Sequence, residues 1–346
     1  MKSNKIETPT VAITHGDTNG IGYEIIIKAL ADPRIFEFFT PIIYGNSKLA
    51  SYHRKTLSLQ NFNFNLVKNV DVANPKRVNI ININDDEVKI DIGTNTEVSG
   101  KMALLSIDKA IEEIKIGKVE ILVTAPVHKK AIQKINPNFK GHTEYLQEKF
   151  KAKDTLMIMA GNLLKIALAT THVPISDLPK LITKELLLKK IYLFYQSLIQ
   201  DFNIIQPKVA VLGLNPHCGD NGMFGYEEKD IIIPVIEELN KEGLLVFGPF
   251  SADGFFGSMH FREFDGVFAM YHDQALIPFK TICFDDGVNF TAGLPIVRTS
   301  PAHGTAYDIA GQDKASGEAF KSALLMACEI YKNRLKYAED IKNPLK

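Results

Sequence analysis

Three histidines stand where an apolar, strand-like run gives way to a small or polar loop: His172 in IALATTHVPISDLP, His217 in VAVLGLNPHCGDNG and His272 in GVFAMYHDQALIPFK. Neutral imidazole binds Zn²⁺ and its borderline neighbours well, and three protein ligands with an open fourth position mark a catalytic rather than a structural site. A sheet that brings three strand ends to one edge would gather the rings where open α/β sheets hold their ligands. One histidine at a strand end is more often a hydrogen-bonded loop residue; the repeated context carries the expectation of a shared metal. No HExxH stretch occurs, so the fold must assemble the site. Cys218, beside His217, is expected to be a packed thiol, because neighbours on an extended chain point opposite ways.

A second set of residues suits anions. THGDTNGIGYEI puts Gly16, Asp17, Gly20 and Gly22 in a turn ahead of a helix expected from Glu24 to Leu30. Backbone N–H groups approach an anion closely there, and the helix N-terminus favours negative charge. The spacing is GxxxGxG rather than GxGxxG, so a tight strand-to-helix connection is an equal reading. In GHTEYL, His142 and Thr143 precede a helical run, with Thr143 expected at the N-cap. Lys280, Asn289 and Arg298 follow within nineteen positions, flanked by PF, LPIV and glycines rather than by other charges. Arginine forks a carboxylate or phosphate, and lysine adds a point charge.

The elements that must position these groups alternate. Short β-branched runs (TVAIT, PIIYG, VEILVTAP, PKVAVLGLN, GVFAMYH) are separated by amphipathic stretches such as Gly100 to Lys118 and Thr183 to Asp201, which is α/β patterning. Leu104, Ile107, Ile111 and Ile114 recur at the spacing of one buried helix face. Ser316 is a candidate cap for a long final helix, expected to pack on the first domain. The Asn-rich stretch from Lys68 to Thr96 is expected to form edge strands and loops.

The 346 residues, 45% hydrophobic and 23% charged, suggest about two domains of a globular enzyme. Lys plus Arg and Asp plus Glu both number 40; without a basic excess, nucleic acid and anionic membrane are excluded as expected partners. Three cysteines without CxxC spacing and an N-terminal stretch without an apolar core point to a reducing, cytoplasmic setting with no membrane span.

HGDTNGIGYE, GHTEYL, LNPHCGDNG, MYHDQALIPFK and AGLPIVRTSPAHGTAYDIAG, in this order from Val11 to Gly311, together resemble the 4-hydroxythreonine-4-phosphate dehydrogenase family of pyridoxal-phosphate biosynthesis. HGTAYDIAG is also similar to the adenosine-binding stretch of isopropylmalate and isocitrate dehydrogenases, whose fold the family shares. The resemblance implies an α/β protein of two α/β/α lobes of that type, with the active site in the interlobe cleft at a dimer interface. Residues 1–125 plus 294–346 are expected in the first lobe, and 126–293 in a second lobe carrying most metal and substrate residues.

The implied reaction is metal-dependent oxidation of 4-phosphooxy-L-threonine at C3 by NAD⁺ or NADP⁺, then decarboxylation to 3-amino-2-oxopropyl phosphate. The implied assembly is a homodimer with one divalent cation per site, Zn²⁺, Mg²⁺ or Co²⁺, held by His172 and His217 of one chain and His272 of the partner subunit. Family substrate contacts fall on His142, Thr143, Lys280, Asn289 and Arg298, and cofactor contacts on His303, Gly304, Thr305, Ala306 and Asp308. Lys280, Asp253 and Asp273 are candidate proton carriers, Asp273 alternatively orienting its neighbour His272. Two departures stand out: Thr18 and Tyr23 replace the prolines of the family's GDPxGIGPE loop, and QDKASGEAF follows DIAG where the family has a GKG-like turn. Alternatives are a related dehydrogenase of 4-phospho-D-threonate or 4-phospho-D-erythronate, a metal-dependent phosphoester hydrolase, and a ligand-binding protein without turnover.

Overall fold

TVAIT, PIIYG and EILVT are apolar on both faces, a pattern that suits strands covered above and below. The computed structural model describes residues 8–59, 61–84 and 87–342 and places these runs inside a parallel sheet. Residues 1–7 of the N-terminal stretch and 85–86 of the Asn-rich stretch lie outside the described residues. The chain divides into two compact units, one running to Ala152 and resuming over Leu294–Tyr331, the other Lys153–Gly293 with the residues from Lys332 onward.

The first unit contains β1 (Thr10–Thr14), β2 (Thr40–Gly45), β3 (Phe64–Leu66), β4 (Val78–Asn82), β5 (Ile121–Thr124) and β12 (Val297–Pro301). They lie in the order β3-β4-β2-β1-β5-β12, all parallel. Val11, Ala12, Ile13, Ile42, Ile43 and Ile121 to Val123 are all fully buried. The helix Glu97–Lys115 covers this sheet through Met102, Ala103, Ile107, Ala110, Ile111 and Ile114, and the Thr96 hydroxyl caps it by accepting the Ser99 N–H. Among the described residues β3, just ahead of the Asn-rich stretch, is an edge strand; β4, expected at an edge, is flanked by β2 and β3. Its residues Val78, Ile80 and Ile81 are apolar and buried, and Asn79 is buried with its amide bonded to the carbonyls of Pro41, Asn74 and Arg77.

The division at Ala152 comes later than the boundary expected after residue 125. The segment in between supplies Ile132, Phe139, Tyr145 and Leu146 to the same buried cluster as Ile107 and Leu122, so its apolar side chains bind it to the first unit. The final helix, Glu318–Lys342, opens in the first unit, with the Ser316 hydroxyl accepting the Glu318 N–H, but from Lys332 its residues belong to the second unit. There Arg334 pairs with buried Asp201.

The second unit contains β6 (Leu156–Ala160), β7 (Lys165–Leu168), β8 (Lys208–Leu212), β9 (Leu245–Phe250), β10 (Gly266–Ala269) and β11 (Val288–Ala292). The order is β11-β6-β7-β10-β8-β9, antiparallel through β11, β6 and β7 and parallel beyond. The helix Lys184–Gln200, capped by Thr183, buries Leu187, Ile191, Phe194 and Leu198. Among the described residues no helix is long and apolar enough to cross a membrane.

Tyr23, one of the two departures from the family loop, lies between two histidines. Its ring stacks on His15 at 5.1 Å between centroids and on His53 at 5.2 Å, and its hydroxyl accepts the Asn46 N–H. All three rings are buried.

Candidate functional site

In the second unit the strands end earlier than the histidine motifs suggest. β7 stops at Leu168, β8 at Leu212 and β10 at Ala269, and His272 is the first residue of the helix His272–Ile282. Side chains bridge the intervening residues. Thr170 Oγ1 donates to the Met270 carbonyl at 2.8 Å, while the Gln274 amide donates to the Gly213 carbonyl at 2.7 Å and accepts the Met270 N–H at 2.7 Å. The ends of β7, β8 and β10 are thereby held together. His172 and His272 face each other with ring centroids 5.9 Å apart.

That separation suits two imidazoles on one cation, each bound through a nitrogen at about 2 Å. His272 Nδ1 is engaged by Asp273 Oδ1 at 2.7 Å, an arrangement that fixes the tautomer and leaves Nε2 as the ligand nitrogen. His217 is exposed and sits in a different setting. His217, Cys218, Gly219, Asp220 and Asn221 all have positive φ, between 42° and 77°, a left-handed turn that costs about 1–2 kcal/mol for each non-glycine residue. Among the described residues, no three His, Cys, Asp or Glu side chains of one chain are grouped to hold a metal ion; one chain brings His172 and His272 together and leaves His217 apart. Asp253 is exposed, its carboxyl held below the usual range first by the Ser251 hydroxyl at 2.7 Å, then by the Gly254 N–H, with His217 adding a smaller effect. Cys218 is half-buried, its Sγ 3.5 Å from the Pro249 carbonyl, and burial pushes its thiol up. Lys280 is exposed in the last turn of the helix His272–Ile282. Asn289 lies on β11 with a buried Oδ1 that has no hydrogen-bond partner.

In the first unit Arg298, on β12, is 2% exposed. Its Nη2 donates to Thr124 Oγ1 of neighbouring β5 at 2.6 Å. Burial draws the guanidinium pKa down to about 10, with Glu144 acting in the opposite sense. His142 sits close by: burial, then the positive charges of Arg298 and Lys129, hold its imidazole well below the ordinary value, and its Nε2 is buried without a partner. Gly141, not Thr143, occupies the N-cap of the helix His142–Lys149, so the capping role expected of Thr143 is absent and its hydroxyl lies in the first turn. Arg298, Lys129 and a neutral histidine with an open nitrogen have the chemistry to receive an anion. Lys129 and Thr124 escape a reading of the sequence because VHKK looks like a surface charge pair and LVT like plain strand.

The glycine loop joins the turn His303–Asp308. The Ile21 N–H donates to the Thr305 carbonyl at 3.1 Å. Buried Asp17 accepts from Tyr307 Oη at 2.8 Å, Ser99 Oγ at 3.1 Å and the Asn19 N–H at 2.9 Å. The Tyr307 ring stacks on His128, centroids 5.4 Å apart. A Cβ on Gly16 would lie 2.3 Å from the Pro126 carbonyl, on Gly20 2.7 Å from that of Thr305, and on Gly22 2.1 Å from that of His15. These glycines permit backbone to touch backbone, as the tight-connection reading requires. His303 Nδ1 lies 3.1 Å from the Gly304 carbonyl, Gly304 and Asp308 are exposed, and Ala306 has φ 43°.

Comparison with known proteins matches this chain to the family described as "Pyridoxal phosphate biosynthetic protein PdxA" over residues 37–327. A 4-hydroxythreonine-4-phosphate dehydrogenase of Bacteroides thetaiotaomicron is 47% identical over 347 aligned positions, covering 100% of this chain and 94% of that protein. One from a Sulfurihydrogenibium species is 38% identical, covering 92% of this chain and 97% of its own. A crystal structure of 4-hydroxythreonine-4-phosphate dehydrogenase from Klebsiella pneumoniae superposes with a TM-score of 0.81 at 32% identity, covering 94% of this chain and 98% of that one. The chain belongs to the PdxA family of pyridoxal phosphate biosynthetic proteins.

Proposed function

We propose that the protein is a 4-hydroxythreonine-4-phosphate dehydrogenase, oxidising C3 of 4-phosphooxy-L-threonine with NAD⁺ or NADP⁺ and yielding 3-amino-2-oxopropyl phosphate after decarboxylation. The observation that carries this reading is buried Arg298, with exposed Lys129, acting on His142, a set of groups suited to a phosphorylated substrate, in a chain 47% identical along its whole length to an enzyme of that name. Arg298 and His142 bind the phosphate from the first unit, with Thr143 at the start of the same helix. Lys280 and Asn289 are the further substrate contacts that the family resemblance gives. The buried guanidinium stays charged at neutral pH even with its lowered pKa, so it orients the substrate without exchanging protons with it. His142 is neutral when empty and gains a reason to take up a proton once a dianion lies against it.

His172, His217 and His272 are the residues that would hold a divalent cation, Zn²⁺, Mg²⁺ or Co²⁺, in a homodimer. Within one chain the facing rings of His172 and His272 offer two imidazoles to such a cation, where the family resemblance draws His272 from the partner subunit. His303, Gly304, Thr305, Ala306 and Asp308 would hold the nicotinamide cofactor. When bound, the cation supplies Lewis acidity toward the substrate hydroxyl and the nicotinamide supplies the hydride acceptor. Lys280 and Asp253, both exposed, are free to exchange protons with solvent. Asp273 orients His272 through its 2.7 Å contact, and that role favours it less as a proton carrier.

The deciding experiment offers the purified protein, with NAD⁺ or NADP⁺ and each of the three cations, a panel of 4-phosphooxy-L-threonine, 4-phospho-D-threonate and 4-phospho-D-erythronate. Reduced nicotinamide is expected with the first substrate. Turnover confined to the other two would reassign the substrate. Phosphate release without reduced nicotinamide would make the protein a hydrolase.

A further inference from the structure

We propose that Glu228 is a positioning residue for the metal centre, its buried carboxylate holding the loop before and through the left-handed turn that presents His217. The inference rests on the reading of His217 as a metal ligand. Glu228 is 2% exposed, and its carboxylate is taken up by N–H donors of one short stretch. Oε1 accepts the backbone N–H groups of Leu214 at 2.8 Å and Asn215 at 2.7 Å, and Oε2 accepts the Asn215 side-chain amide at 2.9 Å. That amide also donates to Glu227 Oε2 at 2.7 Å. Two carboxylates thus converge on the residue that opens the turn.

The same carboxylate reaches the turn's apex. A Cβ on Gly219 would fall 2.9 Å from Glu228 Oε2 and 2.8 Å from the Gly225 carbonyl, and one on Gly213 would fall 3.1 Å from Oε1. Glycine is required at 219 both for this contact and for its φ of 77°. A buried carboxylate persists where hydrogen bonds replace its water, and a turn in a sparsely populated conformation persists where its surroundings over-determine it. Each supplies what the other needs. The Gly213 carbonyl, in the same loop, accepts the Gln274 amide that also binds the Met270 N–H two residues before His272, so the anchor of His217 is continuous with the strand end that leads to His272.

The test titrates Zn²⁺ into the metal-stripped full-length protein by calorimetry, for wild type, Glu228→Gln, His217→Ala and the double variant, with circular dichroism reporting the fold. Gln keeps the size but puts an NH₂ where one oxygen accepts. Glu228→Gln is expected to weaken Zn²⁺ binding about ten- to hundredfold with the fold retained, and the double variant to bind no worse than His217→Ala alone. Unchanged affinity in Glu228→Gln, with a loss in His217→Ala, overturns the role of Glu228 and leaves the metal reading standing. Full additivity overturns it too, because Glu228 would then act elsewhere than on His217. No loss in His217→Ala removes the metal reading and the inference with it. Should Glu228→Gln not fold, Glu228→Asp, which keeps the charge but draws the carboxylate back from the Leu214 and Asn215 N–H groups, takes its place with the same expected loss and the same overturning results.

Discussion

Arg298 and His142 show how burial sorts two bases with different ordinary pKa values. The guanidinium, starting far above neutrality, comes down only to about 10 and remains a cation, whereas His142 is driven well below its ordinary value and is neutral. Removing the charge in Arg298→Ala is expected to lower kcat/KM on the phosphorylated substrate about thirtyfold or more, since truncating a buried charge contact costs about 2 kcal/mol at least. Arg298→Lys should recover part of that loss, because lysine keeps the charge without the planar fork. Steady-state kinetics check both, and wild-type kinetics in Arg298→Ala would remove Arg298 from the substrate site. His217→Ala is expected to leave the fold intact and to remove most bound metal, read by elemental analysis of the dialysed protein.

At the scale of elements, the glycine loop and the turn His303–Asp308 act as one piece through Asp17 and Tyr307. Tyr307→Phe keeps the stack on His128 and deletes one hydrogen bond to a buried carboxylate, for an expected stability loss of about 1–3 kcal/mol. If that turn holds the cofactor, KM for the nicotinamide rises severalfold while kcat stays near wild type. A fall in kcat at constant KM would place Tyr307 in the chemistry instead. Helix positions were legible from the sequence because buried residues recur every three to four places: 100–118 was expected where Glu97–Lys115 forms, and 183–201 where Lys184–Gln200 forms. Strand ends were less legible, since apolar residues such as Ala169 and Met270 stay buried after the ladder stops. Glu228 was not legible at all: within YEEKD it reads as a solvated charge run, and only the fold turns it inward against the Leu214 and Asn215 amides. The three histidines stand out in the sequence by their context, but which of them meet depends on which strands are neighbours, and no spacing rule contains that.

For the whole molecule, the His15–Tyr23–His53 stack sets a response to acid. Burial lowers both histidines from 6.5 to about 4, His15 with a smaller contribution from His53. An unfolded chain protonates near 6.5 and the folded one near 4, so between these values the unfolded state binds more protons. Stability is therefore full above about pH 6.5 and falls as the pH drops toward 4, by about 3 kcal/mol for each histidine. Urea titrations at neutral pH and near pH 4.5 are expected to show that loss, with His53→Gln flattening the dependence. Equal steepness in the variant would mean that other groups set the acid limit.

The first unit is discontinuous, and that has a cost during synthesis. β5 receives its neighbour β12 only from Val297–Pro301, after all of Lys153–Gly293 has left the ribosome. Until then the growing chain carries a strand of Ile, Leu, Val and Thr with one flank of N–H and C=O groups unsatisfied, the kind of template on which nascent polypeptides associate. Fragments stopped at Gly293 should precipitate or remain on chaperones, and supplying residues 294–346 in trans should return them to solution.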